Sequence, residues 1–372
     1  MWFIDKLNMH QDHTLQLPVV ASERVIRVDA QTLELLSDSP KSLIHEGSFS
    51  SVVTVRSNGS RVSVTGNPSR WNRADNLFGF TDISDCVAVY NNILLSHNLP
   101  PFTKATHVFY RQSPDGKKAE QVSDGAIFTH FDITRNLSVG PGSEHAFLRG
   151  LSTLTIGKSK EPYLYANNMT VDWYKGSTVR YTKAYVKSHD LLKHRLKRLK
   201  EATDSEKAYY DSLIDYCHQY GLVREEHSFK SPFLKKKKLN IYGRVEITDL
   251  EKYVNELGDA MKRLEVIDTK YEDISEQLLN SGVVNTIQAA NATQSVAMQW
   301  LLGHKIDKSK SQYYVHRKRL LEIGIDIALP IDTSKQIPQI RSSHSIEVKP
   351  LVPPAWYRMP TRPTPVQMLK VS

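Results

Sequence analysis

Arg180-Tyr181-Thr182-Lys183-Ala184-Tyr185-Val186-Lys187 interleaves phenols and ammonium groups, and it follows Thr170-Val171-Asp172-Trp173 across the turn Lys175-Gly176-Ser177. Side chains two apart in a strand share a face, so Val179, Tyr181, Lys183, Tyr185 and Lys187 are expected to line one side. Segments 168–174 and 178–187 therefore read as an antiparallel pair. Beyond them, strands and helices mix without β-α-β alternation. The expected class is α+β: a mainly antiparallel sheet with a long helical insertion, followed by a helical C-terminal domain.

Toward the N-terminus, 2–7 and 43–65 read as strands, the latter a hairpin turning at Asn58-Gly59. Gly66-Asn67-Pro68-Ser69-Arg70-Trp71-Asn72-Arg73 is a loop with two arginines and a tryptophan. Ile83, Cys86, Val87, Tyr90, Ile93 and Leu94 give 82–95 helical periodicity. Strands are expected near 105–111 and 125–134, joined by Ser113-Pro114-Asp115-Gly116, and a short helix within 142–155.

Toward the C-terminus, 188–219 reads as a helix with a basic start, and Leu222–Phe229 as a strand. Leu250, Leu257, Leu264, Tyr271 and Leu278 recur as heptads, a helix that packs in a coiled-coil manner and leaves self-association open. Gln294–Gly303 and Lys308–Gly324 resemble a helix-turn-helix. After Pro330, seven further prolines between 338 and 365 suggest an extended tail. The blocks expected are 1–248 (α+β), 249–330 (helical) and 331–372 (tail).

The net charge of +9 and pI near 9.2 favour a polyanionic partner. The excess is clustered in Lys193 to Lys200, in Lys235, Lys236, Lys237 and Lys238, and in Arg317, Lys318 and Arg319. Each run lies beside aromatic or histidine residues, which points to nucleic acid more than to a solvated face. No apolar run reaches the length of a membrane span, the first residues carry no signal-peptide pattern, and two cysteines without CxxC spacing suit a reducing cytoplasm. P-loop, dinucleotide, GxSxG, HExxH and His-x-His motifs are all absent.

Three strand segments could converge on a phosphodiester. His130, Asp132 and Thr134 share a face, with a carboxylate and imidazole able to hold Mg²⁺ or Mn²⁺. Arg224, Glu226 and Ser228 share another, where Glu226 is either a metal ligand or half of a cross-strand ion pair. The third is the Tyr185/Lys187 face, where a phenol beside fixed cations can attack phosphorus.

With these motifs in this order, the chain resembles the gene II-type (II/X family) rolling-circle replication initiators of filamentous phages, most of all those of cholera-toxin-class Vibrio phages. The stretches that carry the resemblance are Phe3-Ile4-Asp5-Lys6-Leu7, Gly66 to Arg73, Asn76 to Thr81, Thr170 to Trp173, Ala184 to Lys187, Gly221 to Glu226 and Tyr313 to Arg317. The resemblance implies nicking of the origin plus strand, a covalent 5′-phosphotyrosine, priming from the 3′-OH and later rejoining. It puts the nucleophile at Tyr185, the adjacent cation at Lys187, and acidic metal ligands at Asp132 and Glu226, with His130 where the family often has Arg. It further implies double-stranded origin DNA and displaced single strand as partners, a host helicase and polymerase, and the bacterial cytoplasm as location. Arg70, Arg73, Lys183, Arg224, the Lys235–Lys238 run, Arg317 and Lys318 are the expected DNA contacts.

Tyr181 is a rival nucleophile four residues away. Two other readings compete: a non-catalytic DNA-binding regulator using the basic helices, and a helical assembly protein using the heptads. A covalent protein–DNA adduct separates the first reading from both.

Overall fold

Phe3–Asp12 (β1) is a central strand because it is paired along both edges, with Ile4, Leu7 and Met9 buried in one core and Phe3 in another. The computed structural model describes residues 1–112, 116, 119–156, 162–254, 257–258, 274–301, 304–329 and 346–364. They form two units, 1–264 with 346–372, and 265–345.

In the first unit β1 is followed by a hairpin of β2 (Arg24–Val28) and β3 (Leu35–Pro40), then β4 (Leu43–Gly47), β5 (Ser51–Asn58), β6 (Arg61–Gly66) and helix α1 (Ile83–Ser96). Next come β7 (Val108–Gln112), β8 (Ala119–Ser123), β9 (Ile127–Ser138), α2 (Glu144–Leu151), β10 (Tyr163–Leu164), β11 (Thr170–Trp173) and β12 (Arg180–Val186). Helices α3 (Lys187–Arg198) and α4 (Asp204–Tyr220) lead to β13 (Leu222–Lys230), α5 (Ser231–Lys237), α6 (Ile247–Glu251) and, after the second unit, β14 (Lys349–Pro350). The large sheet runs β10-β11-β12-β13-β9-β1-β6-β5-β4, with β14 beside β9, and its described pairings are antiparallel. The α+β expectation is met.

One face is mostly apolar, interrupted by a buried ion-pair group in which Glu225 meets Arg135 and His227, each at 2.6 Å. Phe131, Ile133 and Phe229 pack under α1, and Val171, Trp173, Ala184 and Val223 pack with α2. The opposite face is covered at one end, where Phe3 and Leu222 meet Leu191 of α3 and Leu213 and Cys217 of α4. Tyr181, Lys183 and Tyr185 lie on that second face and stay half-buried. Local chemistry fixes the helix ends. Asp82 accepts from Ser84 N at 2.6 Å to start α1, and Thr203 with Glu206 makes a capping box for α4. Gly221 ends α4 at φ 55°, and a Cβ there would overlap Gly140 O.

Several expectations change. The strand at 108–112 pairs with β8, not with β9, in a two-stranded sheet of its own. The helix expected over 188–219 breaks at 199–203 into α3 and α4. The β2–β3 hairpin had no counterpart in the sequence reading. Most of the turn at 113–116 and of the heptad span, 255–256 and 259–273, lies outside the described residues; at its start, α6 ends at Glu251. The described part of the expected tail, 346–364, is largely irregular but docked: β14 pairs with β9, and Leu351 and Tyr357 are buried in the first unit. Tyr357 accounts for the docking, because its ring is buried apolar surface and its hydroxyl has partners waiting.

In the second unit α7 (Ile274–Asn280), α8 (Ile287–Leu301) and α9 (Ser311–Leu321) enclose Leu278, Ala290, Ala297, Tyr313, Leu320 and Ile327. The two helices of the helix-turn-helix reading are α8 and α9. Among the described residues no helix is long and apolar enough to cross a membrane.

Candidate active site

Register brings the three sequence segments together. Tyr181, Lys183 and Tyr185 lie opposite Ser228, Glu226 and Arg224, and those lie opposite Asp132, Thr134 and Asn136. Directly opposed residues of an antiparallel pair share a face, so all nine belong to the half-covered one.

At its centre Glu226 is nearly buried. Its Oε1 is 2.9 Å from Lys183 Nζ, and its Oε2 accepts from the Tyr185 hydroxyl at 3.3 Å. Burial pushes the Glu226 pKa above the usual carboxylate range; Lys183 opposes this, and Asp132 and Asp5 reinforce it. Burial pulls the Lys183 ammonium down, and Glu226, joined by Asp132 and Asp5, raises it above its ordinary value. The Tyr185 hydroxyl is held well above its ordinary value by burial and then by Glu226. Its ring lies between two cations, with Lys183 Nζ 5.1 Å and Lys187 Nζ 5.8 Å from the centroid. Tyr181 differs: after burial, its hydroxyl is raised most by Asp172, so a carboxylate rather than a cation is its neighbour.

Lys187 does not continue the strand. β12 ends at Val186, and Lys187 opens α3 with no exposed surface. Its ammonium donates to Asp190 Oδ2 at 2.7 Å and to Asn76 Oδ1 at 3.0 Å. Burial, then Arg224, lowers its pKa to about 8, while Lys187 holds the Asp190 carboxyl down against burial. The Asn76 amide donates to Asp5 Oδ1 at 2.8 Å, as does Asn67 Nδ2. Asp5 occupies the irregularity between Ile4 and Lys6 in the β1–β9 register, where one strand has an extra residue.

The expected metal ligands are only partly gathered. His130 Nε2 sits 2.6 Å from Asp132 Oδ1, whereas Glu226 faces Lys183 and Tyr185. Among the described residues no group of three His, Cys, Asp or Glu side chains is assembled to hold a metal. Asp5, Asn76 and Asp190 escaped the sequence reading; an acid inside the apolar strand Phe3-Ile4-Asp5-Lys6-Leu7 was the available signal for the first.

Some expected DNA contacts are internal instead. Arg224 is fully buried, donating from Nε to Asn136 Oδ1 at 3.0 Å and from one terminal nitrogen to the Asn76 and Leu77 carbonyls at 2.8 and 2.6 Å. Arg70 donates to Phe49 O at 2.6 Å. Arg73 is spent on Ser69 O, Arg358 O and the Tyr357 hydroxyl. The loop expected to contact DNA is a clasp, because its two guanidiniums are taken up mainly by carbonyls outside it, at Phe49, Phe78 and Arg358. Arg317 is held by Asp326 at 2.8 Å. Lys235, Lys236, Lys237, Lys238 and Lys318 are exposed.

The family model for the N-terminal part of the phage replication-associated protein, the gene II product, matches residues 3–248, and the model for the C-terminal part of the same protein matches 278–363. The replication-associated protein (gene II product) of Escherichia phage If1 is 39% identical over 317 residues, covering 83% of this chain and 98% of that protein. A solved rolling circle replication initiator protein from Geobacillus stearothermophilus matches with TM-score 0.26 and 9% identity, over 63% of this chain and 76% of that one, a likeness too slight to carry an argument.

Proposed function

The chain belongs to the family of phage replication-associated proteins of the gene II type, and from that premise we propose that it initiates rolling-circle replication as a DNA nicking and strand-transfer enzyme. The observation that carries this reading is the Tyr185 hydroxyl on the Glu226 carboxylate, at 3.3 Å, with its ring between two lysines on a half-open sheet face.

The step is a transesterification. The Tyr185 oxygen attacks the scissile phosphorus, the P–O3′ bond breaks, and the 5′ phosphate stays on the tyrosine. Because its surroundings keep the phenol protonated at rest, its proton leaves as the O–P bond forms. Glu226, whose proton affinity is raised, is placed to accept it. Lys183 and Lys187 offset negative charge on the phenolate oxygen and the phosphate. The departing 3′ oxygen takes up a proton and is the primer end. Reversal, with a later 3′-OH attacking the phosphotyrosine, rejoins the displaced strand without ATP.

Carboxylate oxygens and an imidazole suit Mg²⁺ or Mn²⁺. Asp132 and Asp5 both destabilise the charged form of Glu226, so a dication here would relieve a repulsion already present. Asp132 and His130, 2.6 Å apart, are the residues that would hold it, and Glu226 would join them only by turning from Lys183 and Tyr185. Its chemistry would be Lewis-acid stabilisation of charge on the phosphate and leaving oxygen.

The test is incubation of the full chain with a supercoiled plasmid carrying its cognate origin and Mg²⁺ or Mn²⁺. The expected product is a nicked circle with protein on the 5′ end, lost in Tyr185→Phe while origin binding survives. Normal nicking by Tyr185→Phe overturns the assignment; a band shift with intact DNA from the unaltered protein returns the function to a binding regulator.

A further inference from the structure

We propose that the open edge of the sheet beside Tyr185 is a stacking platform for the bases of single-stranded DNA next to the scissile phosphate. The inference rests on the nicking reading for its orientation, and on the geometry of β10–β12 for its substance.

Tyr163 on β10 lies opposite Asp172 on β11, which lies opposite Lys183 on β12. These three therefore share the face that carries Tyr185. The Tyr165 hydroxyl donates to Asp172 Oδ2 at 2.7 Å, and Tyr181 comes up against the same buried carboxylate. Asp172 thus fixes the two inner phenols. Tyr163 packs edge-on against Tyr165, ring centroids 5.0 Å apart, and stays 47% exposed. The exposed Lys175 places its ammonium 3.5 Å from the Tyr163 centroid and 4.8 Å from that of Tyr165.

Tyrosines held rigid, one of them half exposed with a cation over one face of its ring, match what a single strand offers. Bases have apolar faces and the backbone is anionic. Two residues along a strand and two strands across put Tyr163 about 12 Å from Tyr185, within reach of neighbouring nucleotides of one bound strand. Among the described residues the sheet path ends at β10, so no further strand covers this edge. The second tyrosine of the ladder, Tyr181, thereby has a role that is not nucleophilic.

The test uses the full chain and a fluorescein-labelled deoxythymidylate strand of about 16 nucleotides, the upper end of common single-strand site sizes. Tyr163→Ala is expected to weaken binding by about 5- to 150-fold, the loss of one base–aromatic stack. Tyr163→Phe, which keeps the ring, binds as the unaltered protein does, and band shifts of duplex origin DNA are the same for all three. Equal binding by Tyr163→Ala, or a loss in Tyr163→Phe as large as in Tyr163→Ala, overturns the platform. The readout needs no cleavage. If the unaltered protein fails to nick its origin while Tyr163→Ala loses the strand, the platform stands and the nicking reading falls.

Discussion

Replacing Lys187 by methionine separates a buried catalytic cation from a merely structural one. The ammonium lies 5.8 Å from the Tyr185 centroid. At an effective dielectric of about 20, a unit charge at that range favours a full phenolate by about 3 kcal/mol, or roughly 100-fold in rate. A half-developed charge gives about tenfold. Lys187→Met should therefore slow single-turnover nicking of supercoiled origin plasmid by about 10- to 100-fold. The pH profile sharpens the test. With its pKa lowered to about 8, the lysine loses its charge as pH rises through that value, and nicking falls with it. Stability moves the other way. Between about pH 8 and the ordinary lysine value the unfolded chain binds more protons than the folded one, so this group makes the fold more stable as pH rises. Unfolding thus does not account for the alkaline loss. Lys187→Arg keeps its charge, and its alkaline limb should vanish. A Lys187→Met rate equal to the unaltered protein's, or an alkaline limb that persists in Lys187→Arg, refutes the reasoning.

Arg224→Met should lower thermal stability by about 3–5 kcal/mol, because Asn136 and the Asn76 carbonyl lose a buried charged donor. The salt slope of DNA binding, measured by titration, should stay unchanged, whereas loss of a true phosphate contact flattens it by about 0.9. Asp132→Ala and Glu226→Ala should each raise the Mg²⁺ or Mn²⁺ concentration needed for half-maximal nicking; an unchanged requirement removes that residue from the metal site. Tyr357→Phe strips Arg73, the Phe78 N–H and Asp75 of a shared partner. It should cost about 1–3 kcal/mol in denaturant melts and speed proteolysis of the C-terminal segment.

The proposed catalytic face was partly legible because period-two alternation within a strand survives any choice of strand partner. Within each strand the alternation grouped Tyr181 with Lys183 and Tyr185, Arg224 with Glu226, and His130 with Asp132; that the three groups share one side is set by the register of β12, β13 and β9. Lys187 was misplaced because the strand-to-helix boundary falls one residue earlier, and nothing in Val186-Lys187-Ser188 marks it. Asp5 stayed hidden because a register irregularity shifts which residue faces where, and it depends on the pairing of β1 with β9. Arg224 read as a DNA contact because the sequence does not reveal that α3 and α4 fold over its end of the sheet. The family resemblance did find the order of the motifs, since those residues are local runs; the carbonyls that occupy Arg70 and Arg73 come from distant positions, and no run displays them.

The docked segment around Tyr357 also sets a clock. Its bond to Asp75 joins residues 282 positions apart. At typical bacterial elongation speeds, Tyr357 leaves the ribosome about 15–60 s after Asp75. Until then the loop that presents Asn76 to Lys187 and Asp5 lacks its Tyr357 partner. A newly made chain thus carries its tyrosine and both lysines well before the loop beneath them is clamped, and a copy terminated ahead of residue 357 never receives that clamp.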